Sequence, residues 1–546
     1  MVNTTIPTLN LGYNKLGSAP EAGDKFYEEV LRSIEGCSGP SLNLRDKQLG
    51  AAPEAVMARF GDALGANTTI TELNLYGNNL GSAPEAVMER LGDALAANTA
   101  ITTLDLGRNK LGSASEPVMA RLRDALVINT TITTLNLTNN GLGSMPVINP
   151  FRDLSCDPLV QLGHALGANT TIMTLDLSVN YLGHAREAVM ARLCDALAAN
   201  TTISDLNLCD NRLEFARKAV IVRLYDALEA NKTITKLDLS HNELGSVSNA
   251  GMDQLCSVLE NNTTIVSLNL NRNRLGSVSN AGMDQLCSAL EKNTTIMSLN
   301  LSDNILGTAP EEVMSRLCDV PKNNTAIATL DLSDNDMGSA SETVMARLGN
   351  ALAANKTIAY LNLNRNRLRS APKAVMARLC DALAANTTIT TLNLSHNELG
   401  FASKAVMARL CYALEANKTI TNLDLSTNLL GYASEDVMAQ FCDALAKNSI
   451  TSLNFSENIL VSASKKVKKE FCEALVANTT IIDLDLSKNN LFMDSEQKSF
   501  LEVLEIVRMK MQGKDLSILD KEKVSFYYEL PAEILMVILL CMFGAH

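Results

Sequence analysis

No tryptophan occurs among the 546 residues, aromatics make up only 4% of them, and histidine appears five times. A core without large rings has to be filled by Leu, Ile, Val, Ala and Met, which suits thin stacked layers. Basic residues are fewer than acidic ones, 47 against 60, for a formal net charge of -13. Phosphate backbones are gripped by clustered Lys and Arg, so nucleic acid is not the expected partner. The apolar run Ile534 to Phe543 has ten residues, well short of the roughly 20 that cross a bilayer, and no membrane span is expected. The chain opens MVNTTIPTLNLG, already inside a repeat and without a basic flank before an apolar stretch; no signal peptide is expected, which makes the reading cytoplasmic. No CxxC pair offers zinc its usual grip. His164, His184, His241, His396 and His546 stand at no triad-like spacing from Cys or Ser, and no glycine-rich loop leads into Lys and Ser or Thr. Neither catalytic, cofactor-binding nor metal-binding residues are assigned, and the chain is not read as an enzyme.

What the chain has in abundance is one phrase, LxLxxNxL. Its first leucine recurs at Leu73, Leu104, Leu135, Leu175, Leu206, Leu237, Leu268, Leu299, Leu330, Leu361, Leu392, Leu423, Leu453 and Leu484, almost always 31 residues apart. Two looser copies at Leu9 and Leu42 make sixteen, and in the second Lys47 replaces the Asn. A period of that length signals a solenoid, in which each copy buries its apolar face only against its neighbours.

One copy, Ile101 to Leu126, shows why. Leu104 and Leu106 alternate as on a short strand with one buried face, and Ile101 and Leu111 join the same layer. Asn109 stands where the chain leaves the strand, and its carboxamide can satisfy backbone groups left unpaired by the turn; such residues should form a ladder between copies. A Gly-Ser turn leads to a helix over Ser115 to Leu126, with Ser115 as cap, Pro117 in the first turn, and Val118, Leu122, Ala125 and Leu126 on one face. Asn129, like Asn at fourteen equivalent sites, is expected to close the helix in the left-handed conformation. Helices pack about twice as far apart as the roughly 4.8 Å between strands, so the stack should curve into a horseshoe with a concave parallel sheet and convex helices. In these features the chain, from residue 1 to about 492, resembles the ribonuclease-inhibitor-like leucine-rich repeats, an α/β solenoid. That resemblance implies a protein-binding scaffold.

Eight of the twelve cysteines share one helix column: Cys194, Cys256, Cys287, Cys318, Cys380, Cys411, Cys442 and Cys472. Neighbouring helix axes lie roughly 8 to 10 Å apart, too far for ready bridging, so free thiols are expected. Gly61, Gly92, Gly163 and Gly349 share the column, while Arg123 and Tyr225 suggest that it is not sealed everywhere. The Asn-x-Thr triplets at Asn67, Asn129, Asn200, Asn386 and Asn478 read as helix-ending turns, not glycan acceptors.

Three departures interrupt the pattern. The copy at Leu135 is nine residues longer, with the excess around Met145 to Pro158, where Phe151 and Arg152 are candidate contacts. Residues 493–546 form a separate tail, its stretch Ser495 to Gln512 expected as a helical cap with Phe500, Leu504, Val507 and Met511 on one stripe. Further on, Leu530, Pro531, Glu533, Ile534 and Leu535 resemble the start of an F-box.

On the strands, the residue between the two leucines is Asn or Asp in all sixteen copies, the aspartates being Asp105, Asp176, Asp238, Asp331, Asp424 and Asp485. No two are consecutive, as an amide-carboxylate ladder would require. The residues flanking the ladder Asn vary: His241 and Glu243, Arg272 and Arg274, Asp303 and Ile305, Asp334 and Asp336, Arg365 and Arg367, His396 and Glu398. An acidic centre between arginines could recognise a partner of complementary charge; alternatively Arg272 pairs with Asp303, and Arg365 with Asp334. Tyr76, Tyr181 and Tyr360 add interface anchors. The function expected is a monomeric, non-catalytic protein-binding scaffold. The NTTITTLNLS style also resembles leucine-rich-repeat effectors that bacteria deliver into host cytosol, and Glu522, Glu529, Glu533 and Phe543 suit a C-terminal delivery signal. A ubiquitin-ligase adaptor acting through the tail, and a GTPase-activating regulator using an arginine such as Arg272, are the alternatives.

Overall fold

The computed structural model describes residues 8–10, 23–35, 39–144, 154–246 and 249–489. The chain divides into two units, Met1–Asn273 and Arg274–His546. Phe151, Arg152, the expected cap at Ser495 to Gln512, the F-box-like stretch and the rest of the tail lie outside the described residues.

Every turn starts with a three-residue strand centred on the first leucine of the pattern. In the first unit β1 (Thr8–Asn10) through β9 (Ser267–Asn269) pair in sequence order, all parallel, with Leu9 opposite Leu42 at one end and Leu237 opposite Leu268 at the other. In the second unit β10 (Ser298–Asn300) through β16 (Asp483–Asp485) do the same, from Leu299 opposite Leu330 to Leu453 opposite Leu484. This register puts like over like. Ile101, Leu104, Leu106 and Leu111 are all within 1% of complete burial, as their alternation predicts.

After the strand the Gly-Ser turn tightens into a 3₁₀ turn, Leu111–Ser113, and the helix runs Glu116–Ile128 with Val118, Met119, Leu122, Ala125 and Leu126 buried. Ser115 makes no side-chain cap bond. Its counterparts Ser341 and Ser403 do, accepting from the N–H groups of Val344 and Val406, whereas Ser434 likewise makes none. The longer copy resumes at Pro158–Ala168, where the Asp157 carboxylate accepts from the Leu159 N–H.

The expected ladder is present and runs in one direction. Asn78 donates to the carbonyl oxygens of Leu44, in the preceding turn, and Leu75, in its own, at 2.9 and 2.8 Å. Its oxygen accepts from the N–H groups of Lys47 and Leu49, again in the preceding turn. Asn109 repeats every one of these bonds on Asn78, Leu80 and Leu75, and the ladder residues from Asn78 onward are 0–3% exposed. Lys47, in the column without a carboxamide, is nevertheless buried.

A second ladder corrects the expectation for the helix ends. Asn129 is extended, with φ -66° and ψ 131°, not left-handed. Its amide donates to the carbonyls of Leu95 and Asn98 in the preceding turn while its oxygen accepts from the N–H groups of Thr131 and Ile132. Side-chain capping therefore replaces the backbone reversal that the left-handed conformation would provide. The amides of Asn129, Asn200, Asn386 and Asn478 are each engaged in this way, which leaves them structural and not free for a glycan.

The cysteines of the helix column are free thiols, and all but Cys472 are buried. Burial holds Cys194, Cys256, Cys318, Cys380, Cys411 and Cys442 as thiols, pushing each up to about 12. The small side chains have a steric cause: a Cβ on Gly349 would stand 2.8 Å from the carbonyl oxygen of Arg378 on the next helix. Tyr225, expected to open the column, is instead fully buried, and its hydroxyl has no hydrogen-bond partner among the described residues.

One turn is packed less well. The helix Glu311–Asn323 carries Val320 and Pro321 where others carry Ala and Leu, such as Ala351 and Leu352. Pro321 cannot donate to the preceding helical turn, and beside it lies an apolar cavity of about 20 Å³ bounded by Leu299, Met314, Leu317, Val320 and Leu330. Pro321→Leu should restore the bond and fill the void. Urea unfolding is expected to show a gain of about 3 kcal/mol; an unchanged midpoint would contradict the packing described. The reverse is expected of Asn335→Ala, which strips bonds from the Leu301 and Leu332 carbonyls and from the Asn304 and Leu306 N–H groups. Its loss should be about 3 kcal/mol or more by the same measurement.

Candidate interaction surface

The sheet face turned away from the helices is built first by the Asn and Asp residues between the leucines. Much of their capacity is used locally. Asp331 accepts from the Ser333 N–H and hydroxyl at 2.8 and 2.7 Å and, through its other oxygen, from the Asn362 amide at 3.0 Å. Asp238 is held the same way by Ser240 and Asn269. These carboxylates stabilise the turn and bridge strands, so the amide-carboxylate reading holds for them.

The flanking columns owe their position to backbone geometry that the sequence hides. The residues before and after the ladder Asn both lie in the left-handed region: φ is 54° and 53° at Arg272 and Arg274, 54° and 56° at Asp334 and Asp336, 53° and 53° at Arg365 and Arg367. Such angles are uncommon for residues other than Gly and Asn. Here they recur because the N–H groups around them are aimed at the neighbouring turn: Asp334 donates to the Asn364 carbonyl at 2.9 Å, and Asn335 and Met337, on either side of Asp336, both donate to the Asn366 side chain. The side chains are thereby turned outward.

His241, Glu243 and Arg272 belong to the first unit, while Arg274, Asp303, Asp334, Asp336, Arg365, Arg367, His396 and Glu398 belong to the second. Within the second, consecutive turns bring Asp303, Asp334, Arg365 and His396 into one column and Asp336, Arg367 and Glu398 into the other. Arg272, Arg274, Asp334, Arg365 and Arg367 are exposed; the others are half-buried. Arg367 reaches Asp336 at 3.4 Å with 72% of its side chain exposed, a pair of small energetic weight that leaves the guanidinium open to a ligand. Arg369, not singled out from the sequence, contacts Glu398 at 2.5 Å.

The tyrosines are dispersed. Tyr76 lies beneath the Arg45 guanidinium, 4.0 Å from the ring centre. Tyr181 is 5.3 Å from Arg212 and edge-on to His184, which in turn packs at 5.3 Å on Phe215. Tyr360 sits on its strand opposite Thr391, half-buried, with burial first and then Asp331 raising its phenol.

Sequence reading missed a second aromatic group in the turn row. Phe401 and Tyr432 stack at 5.7 Å and 11°, both just over half exposed. The signal was available: the same place holds Ser277, Thr308, Ser339 and Ser370 in other turns of the unit. Among the described residues no group of three or more His, Cys, Asp and Glu is arranged to hold a metal, and no helix is long and apolar enough to cross a membrane.

Asp105 provides a test of this face. Burial raises its carboxyl, the nearby Asp176 adds to the rise, and the Gly107 N–H and Arg45 oppose it. A raised acid favours the folded state while protonated and loses that contribution as pH climbs through the folded value. Asp105→Asn keeps the acceptor, so the variant should be more stable than the parent at about pH 7 and indistinguishable from it in acid. Thermal melts across that range check the sign.

Four segments, residues 66–83, 129–144, 230–248 and 385–400, match the family model described as Leucine Rich repeat. No curated protein matches the chain. Among solved structures, the leucine-rich repeat-containing protein LegL7 from Legionella pneumophila is similar at 20% identity, over 73% of this chain and 97% of that chain, with a TM-score of 0.40.

Proposed function

We propose that this chain, a leucine-rich-repeat solenoid, is a non-catalytic scaffold that binds a protein partner through the flanking columns of its sheet, with Arg274, Asp334, Arg365 and Arg367 on the second unit's surface and Arg272 on the first. The observation that carries the reading is the contrast between columns. Leucines, ladder Asn and helix face recur with few exceptions and are consumed by the architecture, whereas the residues flanking the Asn differ from copy to copy and are charged in many of them. Such charge sets partner choice and encounter rate more than stability. Arginine in this setting suits carboxylates, which it can grip with two parallel bonds. The setting proposed is the cytosol of a host cell receiving a bacterial protein; the ten free thiols among the described residues accord with a reducing compartment.

Replacing Arg272, Arg274, Arg365 and Arg367 together by Ala should weaken binding of a partner recovered from host lysate by at least about tenfold, roughly 1.4 kcal/mol, without lowering the melting temperature. A partner bound as tightly by the quadruple variant would refute the assignment. The same pull-down with and without residues 493–546 separates a scaffold from a ligase adaptor, since only the adaptor would lose a ligase component with the tail.

A further inference from the structure

In the turn row of the second unit's last turns, several residues depart together from the pattern of that unit's other turns, as Glu214, Phe215 and Lys218 do in the first unit. The middle of each 3₁₀ turn is normally Gly because the next turn passes close by: a Cβ on Gly400 would stand 2.0 Å from the Leu429 carbonyl oxygen. Arg369 and Val461 occupy that place, and their N–H bonds to the next turn are 3.2 Å, against 2.9 and 2.8 Å at Gly400 and Gly431. The following position, Ser or Thr in the second unit's other turns, holds the exposed stacked pair Phe401 and Tyr432, and Arg369 lies 5.9 Å from the Phe401 ring centre.

Charge breaks rank at the same level. The first helical residue is acidic in many turns, Glu54, Glu85, Glu116, Glu187, Glu311 and Glu342 among them, as the positive end of the helix dipole favours. In the second unit's helices Lys373–Ala385, Lys404–Ala416 and Lys465–Ala477 it is Lys, as at Lys218 in the first unit, while the intervening Glu435–Lys447 keeps Glu. Lys404 is tied to Asp436 at 2.7 Å. Lys373, Lys465 and Lys468 make no ion pair among the described residues, and Lys468 reaches over to the Val461 carbonyl at 3.0 Å. A chain of net charge -13 thus concentrates uncompensated lysines beside its exposed aromatic pair. Residues that the fold disfavours in so many independent ways are expected at functional surfaces.

We infer that this aromatic and basic strip docks an acidic peptide segment carrying aromatic or aliphatic anchors. The anchors lie on Phe401, Tyr432 and Val461, and the carboxylates meet Lys373, Lys465 and Lys468, with Arg369 between the two sets. The inference rests on the scaffold reading but uses a different surface from the flanking columns, so the two fail separately. Charge complementarity selects the ligand: a neutral apolar segment would leave the lysines unused.

The test uses the full chain and a short fluorescent peptide in which Glu alternates with Phe and Leu, followed by anisotropy. Binding is expected to weaken about tenfold with Phe401→Ser/Tyr432→Ser and about as much with Lys373→Glu/Lys465→Glu. It should also weaken when the peptide's Glu residues are exchanged for Gln, and fall with added salt. Every substitution installs what sister turns carry, so melting curves should not shift downward. Arg365→Ala/Arg367→Ala should leave the peptide affinity unchanged. The inference is overturned if the full chain ignores the peptide, as it would with its own tail on the strip, or if the Gln peptide binds equally well. It is also overturned if neither pair of substitutions weakens binding, or if the strip proves to join two copies, seen as a dimer in sedimentation that the same variants dissociate.

Discussion

Everything in this molecule depends on a buried carboxamide. A strand of three residues cannot hold a sheet by itself, and a chain that reverses every 31 residues leaves many backbone groups away from water with no helix or ladder to pair them. An asparagine side chain offers two donors and an acceptor on a short stem. Placed once after the strand and once after the helix, it satisfies both corners of each turn. Leucine packing then supplies the attraction, but the carboxamides decide that the turns stack at one register, since a buried polar group left unpaired would cost about as much as a hydrophobic side chain contributes.

The division of labour between columns follows. Positions that serve the corners or the layers favour one chemistry and recur with few exceptions, such as Lys47 in the ladder and Arg369 and Val461 in the place of the glycines whose missing Cβ lets turns approach. Freedom is left only to residues pointing outward, and there the copies diverge. A protein so regular has little room for a pocket of converging catalytic groups, yet it offers a long surface on which charge and aromatic character can be set turn by turn. The exposed Arg365 and Arg367 and the stacked Phe401 and Tyr432 are two separate uses of that freedom.

Much of this was legible in the sequence because the repeat averages out local ambiguity: the strand leucines, the helix face, the first Asn ladder and the free thiols are all where the period puts them. Other features were hidden for physical reasons. A left-handed backbone is usually announced by Gly or Asn, but at Arg272, Ile305 and Glu398 it is imposed by bonds to neighbouring turns, so residue type gave no warning. Asn129 misled for the converse reason: it is a residue that tolerates the left-handed conformation, used here for its side chain. Tyr225 looked too large for a sealed column, and only packing shows that it fits. Phe401 and Tyr432 lie off the strands, in a column that the second unit's other turns fill with small hydroxyl residues. The candidates Phe151 and Arg152 stand apart from this comparison, lying outside the described residues.

Both carboxamide ladders point the same way, each Asn completing the corner of the turn before it: Asn109 serves Asn78 and Leu80, and Asn129 serves Leu95 and Asn98. A turn is thus finished only when its successor arrives, and that order coincides with the order of synthesis. As the chain leaves the ribosome, each new repeat can lock the one already outside, so the structure is able to grow like a zip from the N-terminal end. With the opposite polarity each new turn would instead be completed at once by the neighbour already outside, and the growing end would never hold an unfinished corner.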